Sequence, residues 1–236
     1  MEIHPGIETV DLALYLKKQR TLVIADLHIG FEEALGKQGV LVPRFQYKDM
    51  IDRLEQIFVK VKPKTIILNG DLKHEFGAIT KQEWKETMRL LDYLARKVEE
   101  IIVVQGNHDP NILPITNKKG VKVVDELVTD NIVLVHGDAP PKAKKYDVIL
   151  MGHEHPAVSL REKTRVERFK CFLKGSYKKK TLIVQPSFNV CVEGTDVTKE
   201  KVLSPLLTNI RACEVFVVDD VRKKTLYFGT VAQLNS

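Results

Sequence analysis

Five short aliphatic runs, each stopped by a polar signature, constrain this chain more than any other feature. Leu22 to Ala25 lead into Asp26-Leu27-His28, Ile66 to Leu68 into Asn69-Gly70-Asp71, and Ile101 to Val104 into Gln105-Gly106-Asn107-His108-Asp109. The pattern recurs where Ile132 to Val135 precede His136-Gly137-Asp138 and Val148 to Met151 precede Gly152-His153-Glu154-His155. Runs this short, rich in Ile and Val and closed by Gly or Asp, read as buried strands. Open α/β sheets carry their ligands beyond the carboxyl ends of such strands, which is where all five signatures fall.

The connections separate the two halves of the chain. Met50, Ile51, Leu54, Ile57, Phe58 and Val61 repeat at helical spacing with Pro63 just beyond, and Thr80-Lys81-Gln82-Glu83 is a capping box opening a second helix whose Trp84, Met88, Leu91, Leu94, Ala95 and Val98 share a face. The first half therefore reads strand, helix, strand, helix, strand. The second half reads as strands with few helices: Val121 to Val124, Phe169 to Leu173, Leu182 to Val184, Val215 to Val218 and Leu226 to Phe228 join the two already named. The fold class is α/β, in one domain spanning residues 1–236, with no linker or internal repeat.

Hydrophobic residues at 44% and charged residues at 29% exclude a disordered chain, and no apolar stretch is long enough for a membrane helix. Met1 to Arg20 holds no basic segment followed by an apolar one, so no signal peptide is read and a cytoplasmic protein is expected. Cys171, Cys191 and Cys213 lack the spacing of a disulfide framework or a thiolate zinc site.

Each signature alone has a bland explanation, such as a helix cap for Asp26, a turn for Gly70-Asp71 or a core histidine for His136. Together they are hard to explain without a metal. Residues two apart on a strand share a side, so Asp26 with His28, and His153 with His155, are each expected to face one point. The donors are oxygen and nitrogen with no thiolate, a set for Mn, Fe, Zn or Ni. Their number exceeds what one ion needs and suits two ions bridged by a carboxylate.

The order Asp-x-His, Gly-Asp, Gly-Asn-His-Asp, His-Gly-Asp, Gly-His-x-His across residues 26 to 155 resembles the calcineurin-like metallophosphoesterases. The resemblance implies a four-layer α/β/β/α sandwich with a dinuclear site, Mn being the first expectation among the possible metals. By position Asp26, His28 and His155 would hold one ion, Asn107, His136 and His153 the other, and Asp71 would bridge them. Asp26 to Ala34 with Val42-Pro43-Arg44, and Gly152 to Val158, are similar to the phosphoesterases encoded beside DNA ligases and Lhr-type helicases, which implies a DNA-repair context and association with a ligase or helicase. Gly70-Asp71-Leu72-Lys73-His74-Glu75 resembles the Gly-Asp-Leu-Phe-His-Glu segment of the double-strand-break repair nuclease of the same superfamily, with Lys73 in place of Phe, and so adds His74 to the candidate catalytic residues.

The expected chemistry is hydrolysis of a phosphodiester by a metal-bridging hydroxide, the ions lying about 3.5 to 4 Å apart. Asn107 and the ions would orient the phosphate, His108 would stabilise it and protonate the leaving oxygen, and Asp109 would hold the imidazole of His108. The net charge is +6, and residues 139–180 alone carry 12 basic against 4 acidic residues. Lys142, Lys144 and Lys145 are expected near the site, Lys178 to Lys180 at a hairpin tip, and Arg161, Lys163, Arg165, Arg168 and Lys170 as a stripe that would suit a nucleic acid backbone. Alternatives are a small-molecule or cyclic-nucleotide phosphoesterase and a non-catalytic scaffold of the same fold. Residues 1–20 and 187–236 carry no recognisable chemistry and are expected to complete sheets, cap the core or support a homodimer.

Overall fold

The computed structural model describes residues 1–40, 43–162 and 165–234, so Leu41, Val42, Lys163, Thr164, Asn235 and Ser236 lie outside the description. Two β-sheets face one another. The first runs in spatial order β1 (Glu2–His4), β2 (Ile7–Val10), β3 (Ala13–Leu16), β4 (Thr21–Ala25), β5 (Thr65–Asn69), β6 (Glu100–Val104) and β7 (Lys122–Val124). The strands β4 to β7 are parallel, and β1 to β3 form an antiparallel meander on their edge. Residues 1–20 thus complete the first sheet, and Val121 to Val124, assigned by sequence to the second half, close it on the other side.

The crossovers follow the sequence pattern. Helix α1 (Phe31–Lys37) and helix α2 (Gln46–Lys60) connect β4 to β5, and α3 (Lys81–Ala95) connects β5 to β6. Met50, Leu54 and Ile57 of α2, and Leu90, Leu91 and Leu94 of α3, are buried in the core. Each such side chain contributes about 2 kcal/mol of burial. Thr80 and Glu83 form the expected capping box, each accepting a hydrogen bond from the other's backbone N–H. The short α4 (Leu113–Lys118) precedes β7.

The second sheet contains β8 (Glu126–Thr129), β9 (Ile132–Val135), β10 (Val148–Met151), β11 (Pro156–Glu162), β12 (Arg165–Tyr177), β13 (Lys180–Val184), β14 (Thr195–Asp196), β15 (Glu214–Asp219) and β16 (Lys224–Thr230). Alternation along its strands divides two cores. Ile132, Leu134, Val148 and Leu150 face the first sheet, while Val133, Val135, Ile149 and Met151 pack on the outer side against Val197, Leu206, Leu207 and Val231. That outer layer is made of short elements, the 3-10 turn Ile210–Ala212 and helix α5 (Val231–Leu234). The result is the expected sandwich with a slender fourth layer.

Because β13 is parallel to β10 and β9, the carboxyl ends of all three lie at one edge, shared with those of β4, β5 and β6. The tip at Lys178 and Lys179 lies at the opposite edge, before β13 begins, and Lys180 is ion-paired to Asp147 there. The hairpin is as expected, but its lysines are remote from the signatures. No helix among the described residues is long and apolar enough to cross a membrane.

Candidate metal centre

The signatures meet at the shared edge, though not by the pleat alternation expected from sequence. β4 ends at Ala25, β5 at Asn69 and β10 at Met151, and beyond them Asp26 (φ 55°), His28 (43°), Asp71 (46°), His153 (66°) and His155 (48°) all have left-handed backbones. Each costs about 1–2 kcal/mol for a residue with a Cβ. The conformation turns alternate side chains outward while the residue between anchors the segment: Leu27 and Leu72 are buried, and Glu154 accepts from the N–H groups of Leu203 and Ser204 (2.8 and 3.0 Å). Backbone bonds secure the bends, from Asp26 N–H to the Gly70 carbonyl (3.2 Å) and from His28 N–H to the Asp71 carbonyl (2.9 Å).

Two clusters result, and Asp71 belongs to both. Asp26, His28, Asp71 and His155 form one, and Asp71, His136 and His153 the other, with the donor atoms of each cluster within 4.8 Å of one another. In the first, the Nε2 atoms of His28 and His155 lie 3.2 Å apart, His155 Nε2 is 3.6 Å from Asp26 Oδ1 and His28 Nε2 is 3.7 Å from Asp71 Oδ2. In the second, His136 Nε2 is 3.4 Å from Asp71 Oδ2, 3.0 Å from His153 Nδ1 and 2.8 Å from Asn107 Oδ1. Metal–nitrogen bonds of about 2.1 Å place neighbouring donors about 3.0–3.4 Å apart, so these sets fit a divalent cation each.

Charge and close packing agree with that fit. Burial alone would raise the Asp71 carboxyl, but His136 and His28 outweigh it and hold it below the ordinary carboxylate range. Burial would lower His136, yet Asp71 and Asp26 raise it to about 9. Burial, and then neighbouring imidazoles, lower His28 and His153. The glycines of the signatures admit this crowding: a Cβ on Gly106 would stand 2.2 Å from Asp71 N and Oδ1, and one on Gly152 2.4 Å from Asp26 Oδ2.

The sequence pattern of the calcineurin-like phosphoesterases matches residues 19–157. The chain belongs to that family. Among solved structures, the Pseudomonas putida nuclease MPE superposes with a TM-score of 0.66 at 20% identity, covering 92% of each chain. The Escherichia coli phosphoesterase Yfce gives 0.42 at 14% identity over 89% of this chain and 98% of its own, and an Entamoeba histolytica Vps29 double mutant gives 0.37 at 16% over the same shares. No curated protein matches the chain significantly.

This phosphoesterase-family chain differs from the sequence expectation at Asp109. Its carboxylate is fully buried and accepts from the backbone N–H groups of Leu72 (3.0 Å), Lys73 (3.2 Å) and Gly106 (3.2 Å). Burial raises it to about 6. It ties the loop after β5 to the loop after β6 and does not hold the His108 ring. His108 Nδ1 meets the backbone carbonyl of His74 instead, its Nε2 lies 3.8 Å from Asp71 Oδ2, and its N–H donates to Asp71 Oδ1 (3.0 Å). A carbonyl only accepts, so the proton sits on Nδ1 and Nε2 is left for chemistry.

His74 joins His28 and His108 in a third group of nitrogen donors, its Nδ1 3.5 Å from that of His28. Burial lowers it, favouring the neutral ring. Lys73 is fully buried with its ammonium on the Glu75 carbonyl. Phe76 is exposed and packs on the His108 ring, centroids 3.6 Å apart.

Sequence reasoning missed the supports. Glu83, beyond closing its capping box, accepts from the N–H groups of His74 (3.1 Å) and Glu75 (2.8 Å). Gln46 donates to the carbonyls of Leu27 and His28, and Glu32 accepts from Phe45 and Gln46. The segment after β13 is stitched to β4 by Gln185 on Val23, Ser187 on Asp26 and Phe188 on Ala25, and Lys170 donates from below to the carbonyls of Ser187 and Asn189. Burial lowers Lys170 to about 7. The expected basic stripe is therefore broken: Lys170 is structural, Arg168 is paired with Glu200 and Glu193, Arg165 with Glu167, and Lys163 lies outside the described residues. Lys142, paired with Asp125, lines a cavity of about 250 Å³ beside His136.

Proposed function

We propose that this calcineurin-like phosphoesterase is a divalent-metal-dependent phosphodiesterase that cleaves nucleic acid, in a DNA-repair setting. The observation that carries the reading is the pair of donor clusters joined at Asp71. Asp26, His28, His155 and Asp71 would hold one ion, and Asn107, His136, His153 and Asp71 the other, with Mn the first choice and Fe, Zn or Ni compatible with the same donors. Bound divalent ions supply ionised water near neutral pH and neutralise the phosphoryl oxygens.

The chain supplies the rest. His108 presents Nε2 at the lip of the clusters, and in its protonated form donates to the departing oxygen as the phosphorus–oxygen bond breaks, while the His74 carbonyl fixes the ring. His74, a neutral imidazole beside it, contacts a non-bridging phosphoryl oxygen. The fold shared with a nuclease over nine-tenths of both chains supports a nucleic acid as the substrate. The test is a panel of Mn, Fe, Zn and Ni on single-stranded DNA, duplex DNA and a simple aryl phosphodiester, beside Asp71→Asn. Metal-dependent cleavage of DNA, abolished by Asp71→Asn, is expected. Turnover of the aryl substrate with no DNA cleavage would transfer the reading to a small-molecule phosphoesterase, and absence of metal binding would revive the scaffold.

A further inference from the structure

Two cationic surfaces compete for a polymer threaded past the clusters, and the fold separates them. The lysines of residues 139–180 are dispersed: Lys142 and Lys180 are ion-paired, Lys178 and Lys179 occupy the far edge, and Lys144 and Lys145 lead into Asp147, whose N–H is bonded to Asn131 at the start of β9, away from the site. The second surface begins at the site. The capping Glu83 ties the first turn of α3 to the loop carrying His74, so α3 starts at the catalytic edge and runs outward.

Lys81, Lys85 and Arg89 follow one another at four-residue spacing along α3, all exposed, about 6 Å apart along the axis. With Arg44 they line a groove of about 280 Å³ between α1 and α3, in which Glu33 and Glu86 are the acidic members. Among the described residues Lys81, Lys85 and Arg44 make no close ion pair, although Arg44 and Arg89 act electrostatically on Glu86, and Arg89 lies over the Tyr47 ring at 4.5 Å. Glu86 offsets the Arg89 end of the row, but Lys81 and Lys85, one turn apart, repel each other, and a phosphate lying along the groove would relieve that repulsion. Phe76, exposed on the loop between the site and Lys81, offers a face on which a base can stack.

We propose that this groove is the binding track for the nucleic acid strand, which leaves the metal clusters over Phe76 and runs along Lys81, Lys85 and Arg89. The inference rests on the nucleic acid reading and adds the surface and direction of the strand. The test measures oligonucleotide binding by fluorescence anisotropy across a salt series, in a background made inactive by Asp71→Asn. The triple variant K81Q/K85Q/R89Q is compared with K142Q/K144Q/K145Q, and each is also made in the active protein and assayed on an aryl phosphodiester. The groove variant should raise Kd at least tenfold and reduce the salt slope by about 2, at about 0.7 per lost phosphate contact. Its aryl turnover should stay unchanged, which also reports an intact fold. Unchanged affinity and slope in the groove variant, or a loss confined to K142Q/K144Q/K145Q, overturns the track while leaving nuclease action standing. Absence of salt-dependent oligonucleotide binding by the parent, with aryl turnover intact in the active protein, overturns the nucleic acid reading and the track with it.

Discussion

Replacing Asp109 separates two roles for a buried carboxylate beside a histidine. The carboxylate receives three backbone N–H groups, two on Oδ2 from Leu72 and Gly106 and one on Oδ1 from Lys73. In Asp109→Asn the amide oxygen can replace only one carboxylate oxygen. Keeping Leu72 and Gly106 turns the amide N–H₂ against Lys73 N–H, leaving buried donors unpaired at about 1–3 kcal/mol. The two surviving bonds lose their charge assistance, while the cost of burying a charge disappears. A net loss of about 2 kcal/mol is expected, and Asp109→Ala, which orphans all three donors, should lose about 3–6 kcal/mol. Urea unfolding of both variants measures this, and the pH profile of aryl phosphodiester turnover supplies the second readout. Because the His74 carbonyl orients the His108 imidazole, turnover should fall at every pH with the shape of the profile unchanged. An Asn variant as stable as the parent whose profile shifts would restore the role first expected for Asp109 and refute the loop-tying one.

Gly106→Ala forces a methyl group to within 2.2 Å of Asp71, so bound metal measured by elemental analysis should fall by half or more and turnover by at least a hundredfold, with smaller effects on stability. The lowered pKa of Lys170 fixes a direction with pH: the unfolded chain holds a proton there that the folded chain gives up from about pH 7, so stability rises between pH 7 and 10. In Lys170→Met that rise should flatten in denaturation series across this range, and an unchanged slope would show that the ammonium is not desolvated. Phe76→Ala uncovers the His108 ring and should raise KM for an aryl phosphodiester several-fold with a smaller change in kcat; a selective collapse of kcat would instead make Phe76 part of the proton-transfer geometry.

What the sequence disclosed and what it withheld follow from range. The parallel strands, the two amphipathic helices and the capping box are local patterns, written in consecutive residues. The candidate donors were legible because parallel strands of one sheet end at one edge, which groups the signatures after β4, β5 and β6 and those after β9 and β10, while the facing of the two sheets that brings the groups together is a long-range feature. The means of convergence was not legible. Pleat alternation assumes that a strand continues, whereas β4, β5 and β10 stop before their donors and the backbone turns left-handed at Asp26, His28, Asp71, His153 and His155, a conformation uncommon for any residue with a Cβ although Asp and His adopt it more readily than most. Such strain persists only where distant parts of the chain enforce it. The enforcing groups are Asp109 on the loop after β5, Glu83 on the His74 loop, Gln46 on the β4 loop and Glu154 on the 203–204 segment, most of them acceptors of backbone N–H groups far away in sequence. A carboxylate that binds metal and one that binds backbone look alike in a sequence. Surroundings tell them apart: Asp26 and Asp71 each accept a backbone N–H, from His153 and His108, but also face imidazole nitrogens, whereas Asp109 faces amides alone. Asp109 was therefore recognisable as a residue of the site while its task was not, and the same distinction should sort carboxylates wherever left-handed residues cluster at the ends of parallel strands.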